Sequence, residues 1–314
     1  MAKLIVIGEA LIDFLPCSKG NLAQTNSFKK CPGGAPANVA AAASKFGIES
    51  MLVTKLGMDG FGDFLTSKIE KAGINSCAIL RTDEANTGLA FVSDSDHSDV
   101  EYLFYRAPAA DMLLCAEDIC EDWFKPGDIL HFCSIALVDA PCRGAHDRAI
   151  EIARAKGCVI SFDVNLRPPL WKDLNGLKEV VLRYIPKADI VKANEEELAF
   201  LGDIKAQHLL ITLGKEGAQY LGNGLDVRVN GFDVPVVNTT GAGDTFIGTF
   251  LAYCAQQGLD FLKSEAQCAQ VLRFCNAAAA IVVGRPGALE VMPTQHEVQE
   301  FLKIHGASSK TVEI

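Results

Sequence analysis

The chain has 314 residues, 49% hydrophobic and 22% charged, with a formal net charge of −10, a globular composition long enough for one large α/β domain or two average ones. No Lys/Arg cluster exceeds a pair, which excludes a basic face for duplex nucleic acid and adhesion to an anionic membrane, although backbone amides could still hold a phosphate. Eleven scattered cysteines without a CxxC pair favour buried thiols in a reducing compartment over a zinc site or a disulfide framework. The N-terminal "MAKLIVIGEALIDFL" is interrupted by Glu9 and Asp13 and does not read as a signal peptide. The longest apolar run near the end, "AAAAIVV", is seven residues, well short of a membrane span. The expectation is a cytoplasmic protein with no nucleic acid and no membrane among its partners.

In chain order, short β-branched runs alternate with helical patterns. Strands are predicted at 4–8, 51–57, 129–133, 158–163, 189–194 and 209–214, and helices at Asn38–Phe46, Gly62–Ala72, Ala145–Lys156 and Leu177–Tyr184. Nearly continuous apolar strands separated by helices predict a parallel sheet covered on both faces. Ligands in such sheets sit beyond the carboxyl ends of the strands. Two pairs of segments break the rhythm: "ALIDFLP" with "NSFKKC", and "TGLAFVSD" with "EYLFYRA". They alternate apolar and polar residues as half-exposed antiparallel strands do, around a turn-rich "SDSDHSD". They read as a small second sheet inserted in the body, packed over a ligand or against a second subunit.

Four stretches could carry chemistry. In "VVNTTGAGDTFIGTFLAYC" an apolar helical stripe begins just after Asp244, so a helix starts at Gly241-Ala242-Gly243 and aims unpaired N–H groups at whatever lies there. The alternative is a glycine turn with Asp244 as an early-helix charge. "PGGAPANVAAAA" offers a second small-residue helix start, with Gly33 and Gly34 permitting close backbone approach and Asn38 polar at its head. In "DIVKANEEEL", Asn194 and Glu197 share one helical face, either as a site or as a helix cap. "TLGKEGAQYL" places Gly214 and Gly217 after a strand, in a nucleotide loop or a plain hairpin. "SFDVNLRPPLW" adds Asp163, Asn165 and Arg167 at a strand end. A P-loop, a GxGxxG fingerprint and HExxH are all absent, and these gaps exclude the common P-loop and dinucleotide readings.

Together these pieces resemble the ribokinase-like (PfkB) sugar kinases. "PGGAPANVAAAASKFG" followed by "TKLGMDGFG" is similar to the family's N-terminal signature, and "NTTGAGDTFIGTF" to its C-terminal one. "GEALIDFLP", "FYRAPAADMLL", "VDAPCRGAH" and "DVNLRPPLW" resemble the fructokinase branch. The resemblance, running from Val6 to about Pro293, implies a three-layer Rossmann-like α/β body with a mostly parallel sheet and a small β-sheet lid. One domain would span 1–314, with the lid formed by about 10–31 and 87–107. It implies ATP-dependent phosphorylation of a small sugar, for fructokinases the 6-hydroxyl of D-fructose. Carried over by position, Asp244 would be the base and the Gly241, Ala242 and Gly243 amides the anion hole. Asp13, Gly33, Gly34, Asn38 and the lid's Arg106 would hold the sugar. Asn194 and Glu197 would organise Mg²⁺ and phosphates through water, and Thr212, Gly214, Gly217 and Asn276 would line the nucleotide pocket. A K⁺ loop would draw on oxygens at Asn238, Val282, Arg285 and Gly287. Asn238 stands where the family usually has Asp, and Val291 offers that loop no hydroxyl. Only "GDIKAQH" separates "NEEELAFL" from "LLITLG", where relatives usually fit a further helix. The alternatives are a 2-keto-3-deoxygluconate kinase, an aminoimidazole riboside kinase, or a non-catalytic sugar-binding regulator. The apolar face of "AFV" and "YLFY" further suggests a homodimer through the lid.

Overall fold

The computed structural model describes residues 2–93 and 102–305. In chain order the elements are β1 (Leu4–Ile7), β2 (Leu11–Pro16), β3 (Phe28–Gly33), α1 (Ala35–Lys45), β4 (Ser50–Gly57), α2 (Gly60–Lys71), β5 (Ile79–Thr82), β6 (Leu89–Val92) and β7 (Tyr102–Tyr105). There follow β8 (Ile129–Cys133), α3 (Pro141–Lys156), β9 (Val159–Asp163), α4 (Leu174–Tyr184), β10 (Ile190–Asn194), α5 (Glu195–Leu201), β11 (His208–Thr212), β12 (Ala218–Gly222) and β13 (Leu225–Val229). Three helices close the chain: α6 (Ala242–Gln257), α7 (Glu265–Val283) and α8 (Gln295–His305).

Nine strands form one sheet in the order β13-β12-β11-β10-β9-β8-β1-β4-β5, parallel except for the β11–β12–β13 meander at one edge. All residues of β1 and of β8 are buried, as strands covered on both faces require. Alternate side chains sort into two cores. Leu4, Val6 and Leu52 pack with α1, α6 and α7, whereas Ile5, Ile7, Val53 and Leu130 pack with α3 and α4. The result is the three-layer body expected. After β1 the chain goes to β4 on one side and later returns to β8 on the other, so a crevice opens beyond the carboxyl ends of β1 and β8. The body strands fall where they were predicted. The edge strands β5 and β13 and their inner neighbour β12 were missed, except that the hairpin reading of "TLGKEGAQYL" matches the β11–β12 pair. No helix stands between α5 and β11.

By length and composition α7 is apolar enough to cross a membrane, although Gln270, Arg273 and Asn276 break its apolar run. Here its Val271, Leu272, Phe274 and Cys275 are buried in the core shared with α6.

The four irregular segments form a second sheet, β3-β2-β6-β7, inserted between β1 and α1 and between β5 and β8. Residues 94–101, with most of "SDSDHSD", lie outside the described residues. The expectation of antiparallel pairing needs correction: β2–β3 and β6–β7 are antiparallel, but β2 and β6 are parallel. Each hairpin leaves the body on its first strand, so these two first strands run the same way when they meet.

Candidate active site

Helix α6 begins at Gly241, which has a left-handed φ of 83° and no side-chain cap. Its first turn therefore presents backbone amides and the positive end of the helix to the crevice. Asp244 lies in that turn and is 9% exposed. Across from it, Asn38 on α1 donates from Nδ2 to Asp244 Oδ2 at 2.8 Å. The two helices come this close because their facing residues are small. A Cβ on Gly248 would stand 2.7 Å from both the Ala42 Cβ and the Val39 carbonyl oxygen. Burial pushes the Asp244 carboxyl above its ordinary value, partly offset by the Asn38 hydrogen bond and the charges of Lys192 and Arg167.

A cavity of about 740 Å³ runs past this pair. At its lid end it is lined by Asp13, Gly34, Tyr102, Phe104, Asn165 and Arg167, and in the middle by Gly241, Ala242, Gly243, Asp244 and Asn38. At the far end stand Asn194, Glu197, Thr212, Gly214, Gly217 and Asn276. Burial also lifts the Asp13 carboxyl to about 7, with Arg167 pulling it back. Gly34 has φ 110°, and a Cβ there would stand 2.5 Å from the Glu9 carbonyl oxygen, so only glycine fits this turn.

Two of the expected sugar contacts are not on the cavity wall. Gly33 stands behind Asp13: a Cβ on it would be 2.1 Å from Asp13 Oδ2, so it makes room for that carboxylate. Arg106 is also withdrawn, a correction to its expected sugar contact. Its guanidinium bonds the Asp111 carboxylate and the Ile135 carbonyl oxygen, and its side chain is 1% exposed. The arginine that does line the cavity is Arg167, which the sequence marked only as polar at a strand end. Glu9, Tyr102, Phe104 and Lys192 were not marked as site residues.

Asn194 and Glu197 form the cap that their spacing allowed. Glu197 N–H donates to Asn194 Oδ1, Glu197 Oε2 accepts from Asn194 N–H, and Oε1 accepts from Leu166 N–H, each at 2.8 Å. Glu197 still faces the cavity, so cap and site coincide. A carboxylate fixed by two amides keeps lone pairs for metal-bound water. Among the described residues no group of three or more His, Cys, Asp or Glu side chains could hold an ion alone. A magnesium ion arriving on nucleotide phosphates would find Glu197 and Asn194 here as residues able to hold its waters.

The K⁺ candidates fit less well. Asn238 Nδ2 donates to the Gly287 carbonyl oxygen at 3.3 Å, and Asn238 Oδ1 accepts from Thr240 N–H at 3.0 Å. The Val282 carbonyl oxygen accepts from Arg285 N–H at 2.9 Å. An amide donor thus competes for one carbonyl that a cation would use.

Residues 1–295 match the pfkB family carbohydrate kinase profile. The chain belongs to this family. It is 39% identical to the probable fructokinase-3 of Arabidopsis thaliana over 96% of this chain and 91% of that one. Among solved structures it resembles the Xylella fastidiosa fructokinase with bound ATP, with a TM-score of 0.89 and 34% identity over 98% of this chain and all of that one. It also resembles the Vibrio cholerae fructokinase bound to fructose, ADP and calcium, with a TM-score of 0.86 and 30% identity over 96% and 99% of the two chains. The protein is therefore a pfkB-type carbohydrate kinase with the ribokinase-like body and a separate small sheet.

Proposed function

We propose that this kinase transfers the γ-phosphoryl group of ATP to the 6-hydroxyl of D-fructose, with Mg²⁺ as the accompanying ion. The observation that carries the mechanism is the Asn38–Asp244 pair at the head of an uncapped helix, midway along the cavity. A carboxylate with a raised pKa suits a general base, because its conjugate acid forms readily once the sugar hydroxyl gives up its proton. The Gly241, Ala242 and Gly243 amides would meet the charge that grows on the phosphoryl group in flight, the Ala242 N–H by giving up its 3.3 Å bond to the Thr239 carbonyl oxygen. Asp13, Asn165 and Arg167 offer polar contacts for sugar hydroxyls, on a wall shared with the rings of Tyr102 and Phe104. The nucleotide would lie against Gly214, Gly217 and Asn276. Bound magnesium would supply charge neutralisation between the phosphates. Fructose itself is favoured by the names of the similar proteins.

Arg167 favours a second reading at the same site. A cation at the lid end beside Asp13 could receive the carboxylate of 2-keto-3-deoxygluconate, a contact Arg106 does not supply. A coupled ATP-to-ADP assay with Mg²⁺ against D-fructose, 2-keto-3-deoxygluconate, ribose and aminoimidazole riboside tests both. Preference for fructose is expected, and preference for the sugar acid would transfer the reading to the second substrate.

The lid also supports a homodimer. The β2–β6 and β6–β7 registers put Phe14, Phe91 and Leu103 on the face turned away from Asp13 and Phe104. On it Phe14 stacks on Phe91 at 4.7 Å, and Leu103 and Tyr105 are 44% and 60% exposed. A second copy would cover this apolar face. A cytoplasmic location accords with the buried free thiols, seven of the eleven cysteines.

A further inference from the structure

Lys192 is an exception in its strand. It sits in the otherwise apolar run of β10 and is 6% exposed, although lysines are almost never this buried unless paired. Its cross-strand partner on β9 is Asp163, 1% exposed, and Nζ donates to both carboxylate oxygens at 3.1 and 3.0 Å. Strands β9 and β10 are already joined by their backbone ladder, so the pair is not needed to hold them together. A buried ion pair is at best a weak source of stability compared with apolar side chains of the same size. An ammonium also has three donors, and Asp163 takes two.

The position of Nζ suggests the use of the third. Lys192 lines the same cavity as Asp244, and a Cβ built on Gly243 would stand 3.0 Å from Nζ. The missing side chain at Gly243 therefore lets an ammonium come up beside the first turn of α6. Burial alone would depress the Lys192 pKa, but Asp163 and Glu197 more than offset that and hold it above the ordinary lysine value.

We propose that Lys192 is a further catalytic residue of this kinase, its ammonium oriented by Asp163 to neutralise the phosphoryl group held at the Gly243 amide. The proposal rests on the phosphoryl-transfer reading of the site. In that step the bond from the γ-phosphorus to ADP breaks and a bond to the sugar oxygen forms. The hydroxyl proton passes to Asp244, and Lys192 keeps its own protons throughout. Asp163 is a positioning residue, touching the lysine and not the reactants.

Lys192→Met is expected to lower kcat about 100-fold or more, the scale seen when an anion-stabilising donor is removed. The KM for sugar and the calorimetric Kd for ADP should move less than about threefold, because neither ligand carries the phosphoryl group in transit. Lys192→Arg should recover at least about tenfold of the lost kcat by restoring a cation. Lys192→Met alone strands a buried carboxylate at a cost to folding, so the deciding variant is Lys192→Met with Asp163→Asn, which leaves no orphan charge. If Lys192 only neutralises Asp163, this double variant returns to within about fivefold of wild-type kcat, and the proposal is overturned. If it contacts the phosphoryl group, the double variant stays as slow as the single one. Wild-type protein is assayed alongside with every sugar named above, and no turnover with any of them would overturn the phosphoryl-transfer reading together with the proposal.

Discussion

Asn38 and Asp244, 206 residues apart in sequence, meet through one hydrogen bond of 2.8 Å between two helix starts. Only the Nδ2 side of the Asn38 amide is used, because its buried Oδ1 has no partner. That bond lowers the Asp244 pKa against the rise caused by burial. Asn38→Leu is therefore expected to move the acid limb of the kcat/KM profile to higher pH, and to lower kcat on the order of tenfold. Asp244→Asn should lower kcat about 100- to 10,000-fold, the range for a lost general base, with sugar binding retained. A pH–rate profile of each variant checks both, and an unmoved acid limb in Asn38→Leu would remove the asparagine from this role.

Gly33 makes a separate test of how the sugar end is built. Its backbone is one that alanine tolerates, but the new methyl would overlap Asp13. Gly33→Ala should leave the fold intact and raise KM for the sugar by roughly tenfold or more, since a displacement near 1 Å can cost ~100-fold at a reacting centre. Melting curves and sugar titrations separate the two effects. An unchanged KM would mean that Asp13 does not hold substrate.

Potassium should matter little to this kinase. The Asn238 amide already bridges to the Gly287 carbonyl, doing mechanically what a shared cation would do by coordination. Rates in KCl and NaCl of equal ionic strength are expected to agree within about twofold, with Asn238→Asp introducing a K⁺ preference by restoring the negative charge such a loop needs. A large K⁺ activation of the wild-type protein would show that the amide gives way to the ion.

Glu9 predicts a pH-dependent stability of definite sign. It is 1% exposed, accepts a hydrogen bond from Ala35 N–H, and burial raises its pKa from 4.5 to about 7 against the pull of Arg106. Between those values the folded protein keeps a proton that the unfolded chain has released. The contribution is fully present below about 4.5 and is lost as pH rises through 7, amounting to roughly 3 kcal/mol at 1.36 kcal/mol per unit. Glu9→Gln keeps the acceptor for Ala35 and removes the titration. The difference in Tm between the two proteins, followed from pH 4.5 to 8, should slope in favour of the variant as pH rises. A flat difference would sink the idea.

If the lid face is covered by a second copy, Leu103→Glu with Tyr105→Glu should turn a dimer into a monomer in light scattering, because paired charges cannot be buried there cheaply. A wild-type monomer would dispose of the dimer directly.

Most of the architecture could be read from the chain because apolar runs and helical stripes are local patterns. Edge strands such as β5 were missed because one exposed side erases the continuous apolar signal. At the site, Asp244, Asn38 and the glycines stood out through short motifs at helix starts. Arg106 misled because nothing local says that Asp111, five residues on, will take its guanidinium. Lys192 could have been flagged as a charge inside the buried strand β10, but its partner lies 29 residues earlier on the neighbouring strand, and only the register joins them. The K⁺ set is equally hard to read from the chain, since whether a carbonyl is free depends on its donors.

The order of the sheet also bears on how the protein is made. A growing chain emerges N-terminus first, so β1, both lid hairpins and α1 are complete long before residues 242–257 exist. Until then the small-residue flank of α1, against which Gly248 later presses, is bare, and the inner layer of the body stays half filled. A nascent chain halted anywhere before α6 owns the lid and Asn38 but lacks the carboxylate they face. Such a chain is exposed on an alanine surface that invites wrong partners, and the last quarter of translation both seals that surface and switches the molecule on.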